Sequence, residues 1–387
     1  MRTIGVVTVA RSDYGIYLPI LRRIQAEPEL HLHLIASGAH LAPGFGQTER
    51  SIRADGFEIS ERIEMLLASD SPEGIGKSIG LGVLGFAQSF GHFRPDILLV
   101  LGDRFEMYTA ALAALPFNIP VAHIHGGEVT QGAMDDALRH SLTKLSHLHF
   151  VSTPEYARRV AQLGEEAWRI TVSGAPSLDN LHLMTIPTRE QLERRFEIKL
   201  QPAPLLVTFH PVTLELDRTE WQMTELTAAL NELSMPVVFN MPNSDTHNSI
   251  IRQHIREYVD THPATWCVEN FGTQDYFGIM QFAAAMVGNS SSGIIEAPSF
   301  GLPVVNIGTR QTGRVRANNV IDVGYASSEI VGGVHRATKP EFRTGIRKLA
   351  NPYGDGHAAE RIVEVLKTVE LDERLIRKTF CDIRTAE

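Results

Sequence analysis

Short apolar runs alternate along the whole chain with longer stretches in which apolar residues recur at helical spacing. The runs Ile4–Val9, His31–Ala36, Ile97–Leu101, Val121–His125, Leu148–Ser152 and Ile170–Ser173 predict one series of strands. A second series is predicted at Leu205–Phe209, Val237–Asn240, Trp266–Val268, Ala284–Val287, Val304–Ile307 and Val320–Val323. Between them, Ile16–Ile24, Phe105–Leu115 and Trp221–Leu233 carry the 3.6-residue period of helices. Strands apolar on both faces, each followed by a helix, imply parallel sheets covered on both sides.

The stretch 179–204 separates the two series, with Pro187, Pro202 and Pro204 around a charged helical patch. Residues 1–180 are therefore expected to form one Rossmann-like domain that carries the acid/base residues. Residues 200–365 are expected to form a second, nucleotide-binding one, and 366–387 a helical tail. The fold class expected is α/β and GT-B-like, with the two parallel-sheet domains facing a central cleft. The length, 387 residues, suits two domains of about 150–200 residues each.

Composition narrows the class further. With 43% hydrophobic and 21% charged residues the chain is an ordinary globular one, and a net charge of −9 argues against nucleic acid as a partner. Two distant cysteines, Cys267 and Cys381, build neither a disulfide framework nor a zinc spacing. No segment approaches the ~18 uninterrupted apolar residues of a membrane span, so a cytoplasmic enzyme with no membrane partner is expected.

Candidate chemistry collects at the carboxyl ends of strands, where open parallel sheets bind ligands. One strand stops at Gly102-Asp103-Arg104, another at Gly126-Gly127-Glu128, and Asp135-Asp136 opens a helix. A buried sheet has no use for Asp103, Arg104, His125 or Glu128 at these ends. His123 and His125 fall on one strand face by the two-residue period. With Asp103 they could ligate a metal, but acid/base work beside Asp103, Glu128 and Asp135 is the more natural use, and no metal is expected. After the first strand, Val9–Gly15 leads into a helix expected to begin near Ile16. Arg11 and Ser12 can meet a phosphate there, or the stretch is an ordinary loop with Asp13 as helix cap.

The second series offers a matching place. Gly288-Asn289-Ser290-Ser291-Ser292-Gly293 follows a buried strand, with Glu296 expected in the first turn of a helix. Small residues and hydroxyls admit a diphosphate, and Glu296 can accept both hydroxyls of a ribose. Arg310 follows the next strand and can pair with the same diphosphate. His210 ends the first strand of this domain; Asn243 and Asp245 end the next and are candidates of the same kind. Gly74–Ser78 imitates the end of a P-loop, but Ser71 holds the first glycine position and helical spacing continues to Phe90.

Together these motifs resemble the hydrolysing UDP-N-acetylglucosamine 2-epimerases of sialic-acid and related nonulosonic-acid synthesis, from about residue 3 to about residue 368. The resemblance rests on ARSDYG at 10–15, SGAHL at 37–41, LGDRFE at 101–106, HIHGGE at 123–128 and DDALRHSLTKLSHLH at 135–149. VSGAPSLDNL at 172–181, NSSSGIIE at 289–296 and IGTRQTGR at 307–314 complete it. It implies a GT-B fold, no cofactor, and anti elimination of the nucleotide across C1–C2 followed by hydration to a free manno sugar. By motif, Asp103 and Asp135 are the catalytic carboxylates. Arg11, Arg104, His210, Ser290, Ser291, Glu296 and Arg310 match nucleotide-binding positions, and His40 falls with the substrate contacts. A homodimer or homotetramer is expected.

One position departs. The sialic-acid branch has glutamate at the third place of HIxGGE, and this chain has His125. That leaves the assignment of base and acid open. It fits a branch acting on UDP- or GDP-linked 2,4-diacetamido-2,4,6-trideoxy-glucose in legionaminic-acid synthesis. A non-hydrolysing epimerase, a GT-B glycosyltransferase and a non-catalytic nucleotide-sugar sensor remain alternatives.

Overall fold

The structure is a computed structural model and describes residues 1–42, 48–69, 71–130, 134–242 and 248–382. Two compact units divide the chain. The first comprises Met1–Glu128, Met134–Asp179 and Tyr353–Glu387; the second is chiefly Asn180–Pro352.

The first unit is built on seven strands: β1 (Arg2–Thr8), β2 (Leu30–Ser37), β3 (Glu61–Ile63), β4 (Ile97–Leu101), β5 (Val121–Ile124), β6 (Leu148–Val151) and β7 (Ile170–Val172). All pair in parallel, in the order β3-β2-β1-β4-β5-β6-β7. The order reverses between β1 and β4, so the loops after these two strands flank the crevice where such sheets bind ligands. β3 escaped the sequence reading because Glu61 and Arg62 interrupt its apolar pattern at the sheet edge.

The second unit has six parallel strands: β8 (Leu205–Thr208), β9 (Val237–Asn240), β10 (Thr265–Val268), β11 (Ala285–Gly288), β12 (Val304–Ile307) and β13 (Val320–Val323). Their order, β10-β9-β8-β11-β12-β13, puts its reversal between β8 and β11. Successive residues feed opposite faces. Leu205, Val207, Val237, Phe239 and Val305 enter one apolar cluster, whereas Leu206, Val238, Met286 and Val304 enter another. Both faces are thus covered, as continuous apolar strands require. The fold is α/β, with two Rossmann-like parallel-sheet units of the GT-B-like class.

Three expectations about local structure are corrected. The first long helix spans Arg11–Ala26, so Arg11 and Ser12 lie in its first turn rather than in a loop before Ile16. β5 ends at Ile124, and His125 has φ +66°, so the two-residue alternation stops short of it. Glu296 does not open a long helix. It ends a four-residue one, Ser292–Ile295, which supplies little helix dipole.

The chain after 352 also departs from the expected boundaries, since Tyr353–Glu387 groups with the first unit. Asp179 caps the helix Ala358–Thr368, accepting from the backbone of Ala358 at 2.9 Å and Ala359 at 2.6 Å. Fully buried Arg169 donates to the carbonyls of Arg374, Leu375 and Arg377. Lys378 donates to the carbonyls of Lys144 (2.8 Å) and Ser146 (2.6 Å). In place of the helical tail, only Glu373–Ile376 is helical after 368 among the described residues. None of the helices among them is long and apolar enough to cross a membrane.

Candidate active site

In the first unit the site is built from the ends of β4 and β5. Gly102 turns the chain at φ +78°, and its carbonyl accepts a hydrogen bond from His123 Nε2 at 2.7 Å. His123 is fully buried. Burial, opposed by that bond, pushes its pKa down to about 3, so it is neutral and its Nε2 carries the hydrogen that fixes the Gly102 turn. Asp103 projects from this turn and pairs with Arg139 of the helix Met134–Leu145.

Arg139 also lies 3.6 Å from Glu128, through Nη1 and Oε2. Burial works against its charge, but Asp103 and Glu128 outweigh that and raise its pKa. Asp135 stands one helical turn before Arg139 on the same face. The buried Arg139 and Glu128 and the half-buried Asp103 and Asp135 thus belong to one patch.

His125 and Glu128 are joined through Nδ1 and Oε1 at 2.7 Å. The turn between them needs its glycines, since a Cβ on Gly127 (φ +75°) would fall 2.5 Å from the Tyr156 carbonyl. Ser152, directly after β6, reaches both partners: its Oγ is 2.8 Å from His125 Nδ1 and 3.2 Å from Glu128 Oε1. His123 and His125 therefore serve different partners.

Around β1, Asp13 is buried and accepts from Thr8 Oγ1 at 2.7 Å and from the backbone of Val9 and Ala10. It occupies the third helical position and reaches back to the cap, instead of being the cap itself. Burial raises its pKa to about 6, against these bonds and the Arg104 charge. His40, read from sequence with the substrate contacts, is fully buried, with Nε2 2.9 Å from Thr8 Oγ1 and Nδ1 2.7 Å from Thr48 Oγ1. It braces the β1 loop from behind. Arg11 and Ser12 remain exposed. Arg104 lies 3.5 Å from the buried carboxylate of Glu106.

In the second unit Asn289 is the hub. It is fully buried, and its side chain accepts from His210 N at 2.7 Å and donates to His210 O at 2.8 Å. Its backbone carbonyl accepts from Arg310 Nη1 at 3.0 Å and Gln311 Nε2 at 2.9 Å. One residue thereby ties together the loops after β8, β11 and β12. Gly288 before it admits no other residue, because a Cβ would come 1.9 Å from Thr208 O.

Ser290 and Ser291 are half-buried beside this hub, and Glu296 is buried nearby along the chain. Burial and the Arg310 charge push the pKa of His210 down to about 3, so the ring is neutral. The Tyr276 hydroxyl lies against Thr208, Ser290 and Ser292, and burial pushes its pKa up to about 12. Asn243 and Asp245 lie outside the described residues. Among the described residues no group of three or more His, Cys, Asp or Glu is arranged to hold a metal.

Sequence reasoning overlooked Arg139, Ser152, Tyr276 and the hub role of Asn289. Only Arg139 had a usable signal, its four-residue spacing from Asp135. The others depend on which strands lie side by side.

Comparison with known proteins agrees with this reading. The UDP-N-acetylglucosamine 2-epimerase family model matches residues 22–367. A Legionella pneumophila protein, UDP-N,N'-diacetylbacillosamine 2-epimerase (hydrolyzing), is 38% identical over 98% of this chain and 99% of its own. Campylobacter jejuni GDP/UDP-N,N'-diacetylbacillosamine 2-epimerase (hydrolyzing) is 36% identical over 99% of each. The crystal structure of UDP-GlcNAc 2-epimerase from Neisseria meningitidis bound to UDP-GlcNAc superposes with a TM-score of 0.82 at 20% identity. It covers 95% of this chain and 99% of that one. With a family model spanning most of its length and full-length relatives of one activity, the chain belongs to the UDP-N-acetylglucosamine 2-epimerase family, as a 2-epimerase of the hydrolysing kind.

Proposed function

We propose that the substrate is a UDP- or GDP-linked 2,4-diacetamido-2,4,6-trideoxy-glucose, converted to the free manno sugar and a nucleoside diphosphate. The observation that carries this reading is His125. His125 follows the end of β5 and is held by Glu128 through Nδ1. Once its Nε2 carries a proton the imidazole can donate to an amide oxygen, which an ionised glutamate cannot do. The names of the Legionella and Campylobacter relatives, both diacetylbacillosamine epimerases, support the same sugar.

Chemically, a base removes the C2 proton, the C–H electron pair forms the C1–C2 double bond, and the C1–O bond breaks toward the diphosphate. Water then adds, hydroxyl to C1 and hydrogen to the opposite face of C2. Asp103, Asp135, His125 and Glu128 supply the acid, base and charge-stabilising groups. Arg11, Ser12, Arg104, His210, Ser290, Ser291, Glu296 and Arg310 are proposed to contact the nucleotide sugar. Assembly as a homodimer or homotetramer in the cytoplasm completes the proposal.

The test compares kcat/KM for UDP-GlcNAc with the UDP- and GDP-linked 2,4-diacetamido sugars, following products by NMR. Free manno sugar with a preference for a diacetamido substrate is expected. A clear preference for UDP-GlcNAc overturns the choice of sugar. Epimer that keeps its nucleotide would point to non-hydrolysing chemistry.

A further inference from the structure

The ring of His125 is gripped at one nitrogen. Nδ1 lies 2.7 Å from Glu128 Oε1 and 2.8 Å from Ser152 Oγ, and that hydroxyl oxygen is 3.2 Å from the same Oε1. The three residues are only 8%, 3% and 2% exposed for His125, Glu128 and Ser152. Glu128, with Arg139 at 3.6 Å from its other oxygen, is an acceptor.

Two lone pairs cannot face each other at 2.7 Å, so Nδ1 carries a hydrogen that points at Glu128. The Ser152 proton is then left to donate to Oε1, and its oxygen shares the Nδ1 hydrogen. In a neutral imidazole this tautomer leaves the lone pair on Nε2. The backbone agrees with a held side chain. His125 has φ +66°, sparsely populated for residues other than glycine, and its N–H bonds to Phe150 O at 3.0 Å.

We propose that Ser152 is a positioning residue for the epimerase reaction. With Glu128 it locks His125 in the Nδ1–H tautomer, so that Nε2 is the base that accepts the C2 proton. The proton passes from C2 to Nε2, the C–H pair becomes the C1–C2 double bond, and the C1–O pair leaves with the diphosphate. Glu128 then faces the imidazolium that has formed. This rests on the reading of His125 as an acid/base group.

The test combines kinetics with ¹⁵N NMR of histidine-labelled enzyme, in which the His125 signals, among sixteen histidines, are those missing from His125→Gln. The expected wild-type pattern is Nδ1–H for His125. In Ser152→Ala, where Glu128 still faces Nδ1, the tautomer stays Nδ1–H but the Nδ1 signal shifts, because its hydrogen loses the second acceptor and the ring its second anchor. The variant's kcat falls roughly tenfold or more, as expected for losing a hydrogen bond to a charged group, while KM and the denaturation midpoint stay close to wild type. Ser152→Thr, which keeps the hydroxyl, restores both the Nδ1 signal and kcat. An Nε2–H wild type, or a Ser152→Ala enzyme with unchanged kcat and Nδ1 signal, overturns the role of Ser152. Near-normal kcat in His125→Gln overturns the underlying reading of His125, whatever Ser152 does.

Discussion

Arg139 holds Asp103 in an ion pair from within the protein, its own side chain 4% exposed and that of Asp103 23% exposed. The cation is buried and the carboxylate is half in the open, so the pair aims Asp103 outward at whatever binds beyond β4. Asp135, also half-buried, stands one turn before Arg139 on the helix Met134–Leu145.

Both carboxylates are tested by removing their charge. Asp103→Asn and Asp135→Asn should each lower kcat by about 10²–10⁴-fold, the usual cost of losing a proton-transfer group. Nucleotide binding should survive in both. Asp103→Asn should also lower the thermal midpoint, because it removes one charged partner of the buried Arg139. Near-normal kcat in both variants would place the chemistry elsewhere.

Asn289 gives a test of the second unit. Replacing it by Asp keeps its shape but removes the donor that meets His210 O and puts a carboxylate oxygen against a carbonyl. The loops carrying His210 and Arg310 should loosen together. Calorimetry with the nucleoside diphosphate should show affinity reduced about tenfold or more, while kcat at saturation changes little. Unaltered affinity would mean that these loops do not shape the nucleotide site.

Arg310→Ala and Glu296→Ala should act in the same direction by a more direct route. Both are proposed to touch parts of the substrate that do not react, so their loss should raise KM and leave kcat nearly intact. A loss confined to kcat would move them from binding to chemistry.

How much of this was legible in the sequence depends on the range of the signal. Strands such as Ile97–Leu101 and Val304–Ile307 announce themselves by continuous apolar runs. Asp103, Glu128 and His210 stand out because a buried sheet does not need them. The surroundings of His40 were not legible, because a motif does not say which way a side chain faces; here its ring nitrogens meet Thr8 and Thr48. The return of Tyr353–Glu387 to the first unit could not be read at all. It is decided by carbonyls that meet Arg169 and Lys378, groups with no local sequence pattern.

Buried histidines make acid stability the last test. Burial lowers the pKa of His40 and His147 to about 4 and that of His123 to about 3. Above the unfolded value near 6.5, both states are neutral and these groups contribute nothing. As pH falls below it, the unfolded chain takes up protons that the native state refuses, so stability is lost down to about pH 4 for two of them and about pH 3 for the third. Asp13 works the other way. Its raised pKa, about 6, lets the native state bind a proton more readily than the unfolded one, so its contribution grows as pH drops from 6 toward 4. Glu165, held down to about 2 by its His149, Lys144 and Lys378 partners against burial, stabilises at a constant level above the ordinary carboxylate range. It loses that contribution only as pH falls from there toward 2, so it does not vary between pH 7 and pH 5. Between pH 7 and pH 5 these three histidines, joined by His210, His33 and His149, whose pKa values burial also lowers, therefore oppose one aspartate. The urea midpoint should fall across that interval, and a midpoint that stays level or rises would show that these imidazoles are not buried neutral in the native protein.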